Sequence, residues 1–185
     1  TNGHGDSNMG GHIGPELKFA GYDTIVFSGI SPKPVILYID NDTVELKDAS
    51  SYWGMGSLDC EKKLKEDLGE DFEIATIGPA AENGVLFSCI SHDFGRQAGR
   101  TGQGAVMASK KIKAIAIRGN KSVKVHDLEG LTKQVTDIIA RTKEHPNMEP
   151  WQKYGTAFFL KWANDNAVIP VHNFQTTYYE DIERS

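Results

Sequence analysis

The chain has 185 residues, 39% of them hydrophobic and 24% charged, with a formal net charge of −5. That balance is ordinary for globular sequence and gives no support to nucleic-acid or membrane-surface binding. No apolar run approaches the roughly 20 residues of a membrane span. Nothing at the start reads as a signal peptide. The only cysteines, Cys60 and Cys89, lack the spacing of a self-contained metal site, so a cytoplasmic location is expected. The chain does not begin with methionine, and Ser185 follows a charged run without a stop signal, so an excised fragment is expected.

In chain order, Thr1 to Asn8 carries no clear element, and residues 14–21 read as a short helix. The β-rich run Tyr22 to Phe27 reads as a strand. Strands over 35–40 and 43–47 flank Asn41-Asp42, a hairpin signal. Ser57 is a candidate N-cap for a helix through Leu58, Leu64 and Leu68, closed by Gly69. Strands follow over 72–77 and 85–91, separated by a turn at Pro79 to Gly84. A helix from Ala105, a strand over 112–118 and a short strand over 122–125 complete the mixed part. Beyond this, Asp127 can cap a helix whose apolar positions Leu128, Leu131, Val135, Ile138 and Ile139 recur at helical spacing. A second helix is expected around Tyr154 to Asn164. The change of character near residue 125 predicts two domains, 1–124 and 125–185, the second the beginning of a larger helical domain.

The segment Gly95-Arg96-Gln97-Ala98-Gly99-Arg100-Thr101-Gly102-Gln103-Gly104 carries the chemistry. Glycines let a backbone approach a ligand closely. Arginine supplies a permanently charged fork that grips phosphate in a bidentate way. A tight structural turn is the competing reading. The string fits neither the dinucleotide fingerprint, since Met107 stands where the third glycine belongs, nor a Walker loop. A shift of 90 positions aligns Gly14 with Gly104 and Gly29 with Gly119, which predicts an internal duplication of loop, helix and strand. The fold class expected is α+β: two related β-rich halves with short helices, followed by the first helices of an all-α domain.

Longer strings sharpen this. Gly10-Gly11-His12-Ile13-Gly14-Pro15-Glu16-Leu17-Lys18-Phe19-Ala20-Gly21-Tyr22-Asp23, Ile77 to Asn83, Arg96 to Ile115, Tyr154-Gly155-Thr156 and Asn173-Phe174-Gln175 stand in this order along nearly the whole chain. Together they resemble the tungsten-containing aldehyde ferredoxin oxidoreductases. The resemblance implies a cofactor-binding portion of an enzyme that oxidises aldehydes to carboxylic acids. It implies a tungsten bis-molybdopterin cofactor whose two phosphates are joined by magnesium. Asn8 and Gly10 fall where the family holds one pterin. Arg96, Gln97, Gly99 and Arg100 fall where it holds the other pterin and the phosphates. The magnesium would meet the backbone carbonyls of Asn8 and Gln97. Thr101 and Ala108 replace glycines of the family pattern. No catalytic residue is expected in these residues. The iron–sulfur cluster belongs to the full-length enzyme only, with ferredoxin as the electron-accepting partner, and a homodimer is compatible with the resemblance. Two other readings stay open: a non-catalytic domain for another phosphorylated ligand, and a paralogue that assembles with a catalytic redox partner.

Among the remaining residues, Glu16, Lys18, Glu82 and Asn83 read as structural. Both cysteines read as buried thiols. His12 and His92 flank the two glycine loops, with packing favoured over a ligand role for both.

Overall fold

The computed structural model describes residues 4–182; Thr1 to Gly3 and Glu183 to Ser185, with the expectations attached to both chain ends, lie outside the described residues. The chain divides into two compact units, Thr1–Lys124 and Val125–Ser185.

In the first unit, six strands form one mixed sheet: β1 (Val35–Asp40), β2 (Thr43–Asp48), β3 (Glu73–Thr76), β4 (Ile90–His92), β5 (Arg96–Ala98) and β6 (Ile112–Arg118). Their order is β2-β1-β6-β3-β4-β5, with β1 and β6 parallel and every other neighbouring pair antiparallel. The helices are α1 (Ile13–Ala20), α2 (Ser57–Leu68), the single turn α3 (Pro79–Glu82) and α4 (Gln103–Ser109).

Strand periodicity explains the layers. Ile36 on β1 and Ala114 and Ala116 on β6 face α2, where they meet Cys60, Leu64, Phe72 and Ile74. Val35, Leu37, Ile39 and Ile117 point to the opposite face, against α1, α3 and α4 through Ala20, Ala81, Met107 and Ala108. Both faces of β1 and β6 are therefore covered, and both strands read as nearly continuous apolar runs. Burial of each large side chain such as Leu64 or Phe72 contributes about 1.5–3 kcal/mol.

Several expectations need correction. Tyr22 to Phe27 forms no strand: the N–H groups of Asp23 to Ile30 have no hydrogen-bond partner among the described residues. A strand exists only through its ladder, and among the described residues no strand pairs with this segment, which instead packs its side chains on Leu37, Ile39 and Ile117. The strand expected over 85–91 shrinks to β4, because Val85 N–H donates to Ala80 and Ser88 N–H to Val85 in successive turns. Residues 122–125 form no strand, and Pro79 to Gly84 begins as helix α3 rather than a plain turn. Ser57 opens α2, but Gly56 is the cap residue and no side chain caps it. The offset of 90 holds for the helices, since α1 begins at Ile13 and α4 at Gln103. It fails for the strands, because β6 has no counterpart over 22–28. Cys60 is buried and accepts a hydrogen bond from Thr76 Oγ1, whereas Cys89 is only half-buried and lies outside any strand.

In the second unit, α5 (Leu128–Lys143) is capped by Asp127, whose carboxylate accepts the Gly130 N–H at 2.9 Å. The apolar row from Leu128 to Ile139 is exposed along its length. The helix expected over 154–164 is broken. α6 (Met148–Tyr154) ends at Gly155, a 3-10 turn spans Gly155–Phe159, and α7 (Leu160–Asp165) follows. Buried Asn164 ties this end together by two hydrogen bonds with the backbone of Tyr179, at 2.7 and 3.0 Å. Among the described residues no helix is long and apolar enough to cross a membrane.

Candidate functional site

The two glycine loops, some 90 residues apart in sequence, meet in space. His92 and Arg96 face each other across the β4–β5 hairpin, separated by the short loop Asp93-Phe94-Gly95. The Arg96 stem runs over the first loop: a Cβ added at Gly10 would stand 3.7 Å from Arg96 Cδ. Gly11 has φ +95° and could carry no Cβ, which would lie 2.7 Å from the His92 ring and 3.2 Å from Arg96 Cγ. On the far side of the cradle, Arg100 N–H donates to Ser7 Oγ at 3.2 Å and the Thr101 hydroxyl donates to the Asp6 carbonyl at 3.4 Å.

The segment expected to be one loop is in fact a strand, a turn and a helix start: β5, a 3-10 turn over Arg100–Gly102, then α4. Gly102 has φ +71°, and a Cβ there would fall 1.7 Å from the Leu86 carbonyl oxygen. The backbone of the Leu86 turn thus lies directly against the loop, and only glycine permits it. Thr101, which replaces a glycine of the resembled pattern, holds φ +63°. A β-branched residue is costly in this region, by about 1–2 kcal/mol. Two hydroxyl contacts offset that cost, the bond to Asp6 and one accepted from Gln103 Nε2 at 2.8 Å. Ala108, the other replacement, is buried against Ala81 and Met107.

The residues expected to serve the site fall as follows. Asn8, Gly10, Arg96, Gln97 and Arg100 are exposed, and Gly99 is half-buried with its backbone close to Cys89. The Arg96 guanidinium has no hydrogen bond or ion pair among the described residues. Arg100 has one exposed contact, 3.6 Å to Asp6, of a kind worth at most about 1 kcal/mol. Gln97 is turned back, its Oε1 accepting from Ser91 Oγ at 2.8 Å, so its side chain is committed and its backbone remains the part available to a ligand. Two guanidinium groups and a glycine-lined backbone are donor-rich and sterically open, which suits an anionic, phosphate-bearing ligand. Among the described residues, no three His, Cys, Asp or Glu side chains converge to hold a metal ion.

Beneath the site lies His92, expected from the sequence to be a packing residue, whose contacts across the fold local sequence does not reveal. His92 is fully buried. Its Nε2 is 3.0 Å from the His12 nitrogen and 3.1 Å from the Ile13 nitrogen, and its Nδ1 is 3.0 Å from the Ile74 carbonyl oxygen. Two N–H donors aimed at Nε2 make it the acceptor, which fixes the imidazole as the Nδ1–H tautomer, donating to Ile74. Glu73 Oε2 lies 3.6 Å from the same Nε2, beyond hydrogen-bond range. The contact spans some 80 positions, and its only sequence signal was the flanking of the two glycine loops by histidines.

Glu61 on α2 supports the hairpin from below. Its Oε2 accepts the Phe94 N–H at 3.2 Å, while Oε1 is buried without a partner among the described residues. Burial pushes its carboxyl group above the ordinary value of 4.5. With the folded-state value raised, the unfolded chain releases this proton first as pH climbs past about 4.5, so the group costs stability above that point. Glu61→Gln keeps an acceptor for Phe94 and removes the titration. Urea midpoints measured from pH 4 to pH 7 are expected to fall less steeply in the variant. Parallel profiles would refute the assignment.

The family description "Aldehyde ferredoxin oxidoreductase, N-terminal domain" matches residues 1–119. The tungsten-containing aldehyde ferredoxin oxidoreductase of Thermococcus kodakarensis is 45% identical over 176 residues, which is 94% of this chain and 29% of that protein. The enzyme of the same name from Pyrococcus furiosus is 43% identical over 175 residues, again 94% and 29%. An aliphatic sulfonate oxidoreductase, WOR-like subunit, from Pyrococcus furiosus is 34% identical over 200 residues, covering 100% of this chain and 32% of that protein. Among solved structures, the active-site complex BamBC of benzoyl coenzyme A reductase with 1,5-dienoyl-CoA superimposes with a TM-score of 0.71 at 43% identity, over 76% of this chain and 22% of that one. The chain thus spans less than a third of the length of these relatives. With the family description matched over most of the first unit and the likeness sustained through the helical residues, the chain belongs to the aldehyde ferredoxin oxidoreductase family.

Proposed function

We propose that these residues form the cofactor-holding portion of a tungsten-containing aldehyde:ferredoxin oxidoreductase. Residues 1–124 would supply the cofactor-binding domain and residues 125–185 the opening of a helical domain. The observation that carries the reading is the meeting of the two glycine loops under an Arg96 guanidinium without a hydrogen bond or ion pair among the described residues, in a chain whose relatives include tungsten-containing enzymes. When bound, the cofactor would supply the two-electron chemistry by which an aldehyde and water give a carboxylic acid, two protons and two electrons.

This chain's own part is binding and orientation. Arg96 and Arg100 would neutralise and grip the phosphates of a bis-molybdopterin. Gly10 and Gly99 would let the backbone approach the pterins. The carbonyls of Asn8 and Gln97 would face a magnesium ion between the phosphates. An iron–sulfur cluster, ferredoxin and a cytoplasmic setting complete the proposal for the whole protein, with the cluster's ligands outside these residues.

The test is to purify the complete gene product without oxygen, then measure tungsten, pterin and magnesium. Aldehyde-dependent reduction of ferredoxin is followed in the same preparation. Pterin-free protein, or loaded protein inert towards every aldehyde tried, would refute the proposal.

A further inference from the structure

The first N–H groups of any helix lack intrahelical partners, and at α1 the cap residue His12 offers no side-chain bond to them. Two of them, those of His12 and Ile13, are satisfied instead from the other loop, by His92 Nε2 at 3.0 and 3.1 Å. The same ring is fixed from beneath by Ile74 on the central strand β3. His92 also stands opposite Arg96 in the hairpin register, and Gly11 packs directly on its ring. One buried imidazole therefore sets the distance between the backbone of Gly10–Ile13 and the strand that carries Arg96 and Gln97.

We infer that His92 is a positioning residue for the cofactor site. It caps α1 across the fold and so holds the two halves of the cradle in register, without itself touching the ligand. The inference rests on the proposed function for the identity of the ligand, but not for the geometry that His92 imposes.

Two substitutions separate its two contacts. In His92→Asn the shorter amide keeps a donor near the Ile74 carbonyl but does not reach α1. In His92→Gln the longer amide places its Oε1 near the former Nε2, restoring an acceptor for the His12 and Ile13 N–H groups. Amide hydrogen exchange is measured on the complete protein, with pterin and tungsten content determined alongside. The His12 and Ile13 amides should exchange about tenfold faster in His92→Asn and return towards wild-type protection in His92→Gln. Cofactor content should follow the same order, falling in the Asn variant and recovering in the Gln variant, while the circular dichroism of both stays that of the wild type.

Wild-type protection and cofactor content in His92→Asn would overturn the inference, as would equal losses in both variants. If the Asn variant does not fold, the Gln variant decides alone: protection and cofactor retained support the role, and both lost remove it. Wild-type protein without pterin would defeat the functional proposal, while the exchange comparison would still test the role of His92.

Discussion

Replacing Arg96 and Arg100 together by alanine in the complete protein is expected to lower bound pterin and tungsten by more than about tenfold. Each bidentate guanidinium–phosphate contact contributes about 1.5–3 kcal/mol, and each 1.4 kcal/mol is a factor of roughly ten in affinity. The folded state itself should barely notice the change. The Arg96 guanidinium has no hydrogen bond or ion pair among the described residues to lose, and the Arg100 guanidinium gives up only an exposed contact at 3.6 Å with Asp6. Exposed substitutions of this kind usually alter stability by no more than about 0.5 kcal/mol. A cofactor-poor protein with an unchanged melting curve is therefore the predicted signature. Arg96→Ala alone should be the more damaging single variant, because the Asp6 carboxylate already offsets part of the Arg100 charge. Arg96→Lys should rescue only in part, since an ammonium group cannot reproduce the planar fork. Full tungsten and pterin content in the double variant would remove both arginines from the site.

Part of the fold and the outline of the proposed site can be read from the sequence, because their signals are concentrated in short strings. The hairpin at Asn41-Asp42, the cap at Asp127 and the glycine–arginine segment each depend on residues within a few positions of one another. Local rules reach that far. Tyr22 to Phe27 has the composition of a strand and fails to become one, because pairing depends on a neighbour that composition does not reveal. Thr101 gives no sign that it will adopt a left-handed conformation; the hydroxyl contacts that offset its cost, to Asp6 and Gln103, exist only once the loops meet. His92 is the sharpest case. A lone histidine in a β-rich run is usually a satisfied core residue, and here it is one, yet two of the three groups that satisfy it belong to the opposite loop of the site. Lys113 is hidden for the same reason. In Ile112-Lys113-Ala114-Ile115 it alternates like a solvated strand residue, and its acidic partner lies 31 positions away.

Lys113→Met should cost about 3–5 kcal/mol, the penalty for leaving one member of a buried ion pair alone. Lys113 is 0% exposed and Glu82 only 4%. The ammonium group uses all three of its donors, at 2.6 Å to Glu82 Oε1, 2.7 Å to the Ile77 carbonyl and 2.8 Å to the Met55 carbonyl. Glu82 Oε2 accepts the Gly54 N–H at 2.7 Å. Methionine fills much of the volume but leaves the Glu82 carboxylate buried with one N–H, and it strips two carbonyls of a donor. Against a typical domain stability of about 5–15 kcal/mol, such a loss lowers the melting temperature by roughly 10 °C or more. Adding Glu82→Leu should return part of the stability, because an apolar pair removes the stranded charge, though Gly54, Met55 and Ile77 remain without their partners. A double-variant cycle in urea measures this coupling, and a loss below about 1 kcal/mol in Lys113→Met would show that the pair is not structurally important. The consequence reaches the proposed cofactor cradle through packing. Glu82 ends α3, whose Ala81 lies against Met107 and Ala108 of α4, the helix that follows the glycine–arginine turn. Loosening α3 removes the surface on which that turn is held, so Lys113→Met should weaken cofactor retention as well as the fold. The order of the two losses on warming tests the link: cofactor should dissociate from this variant before the sheet melts, whereas in Arg96→Ala/Arg100→Ala the binding defect is present at every temperature.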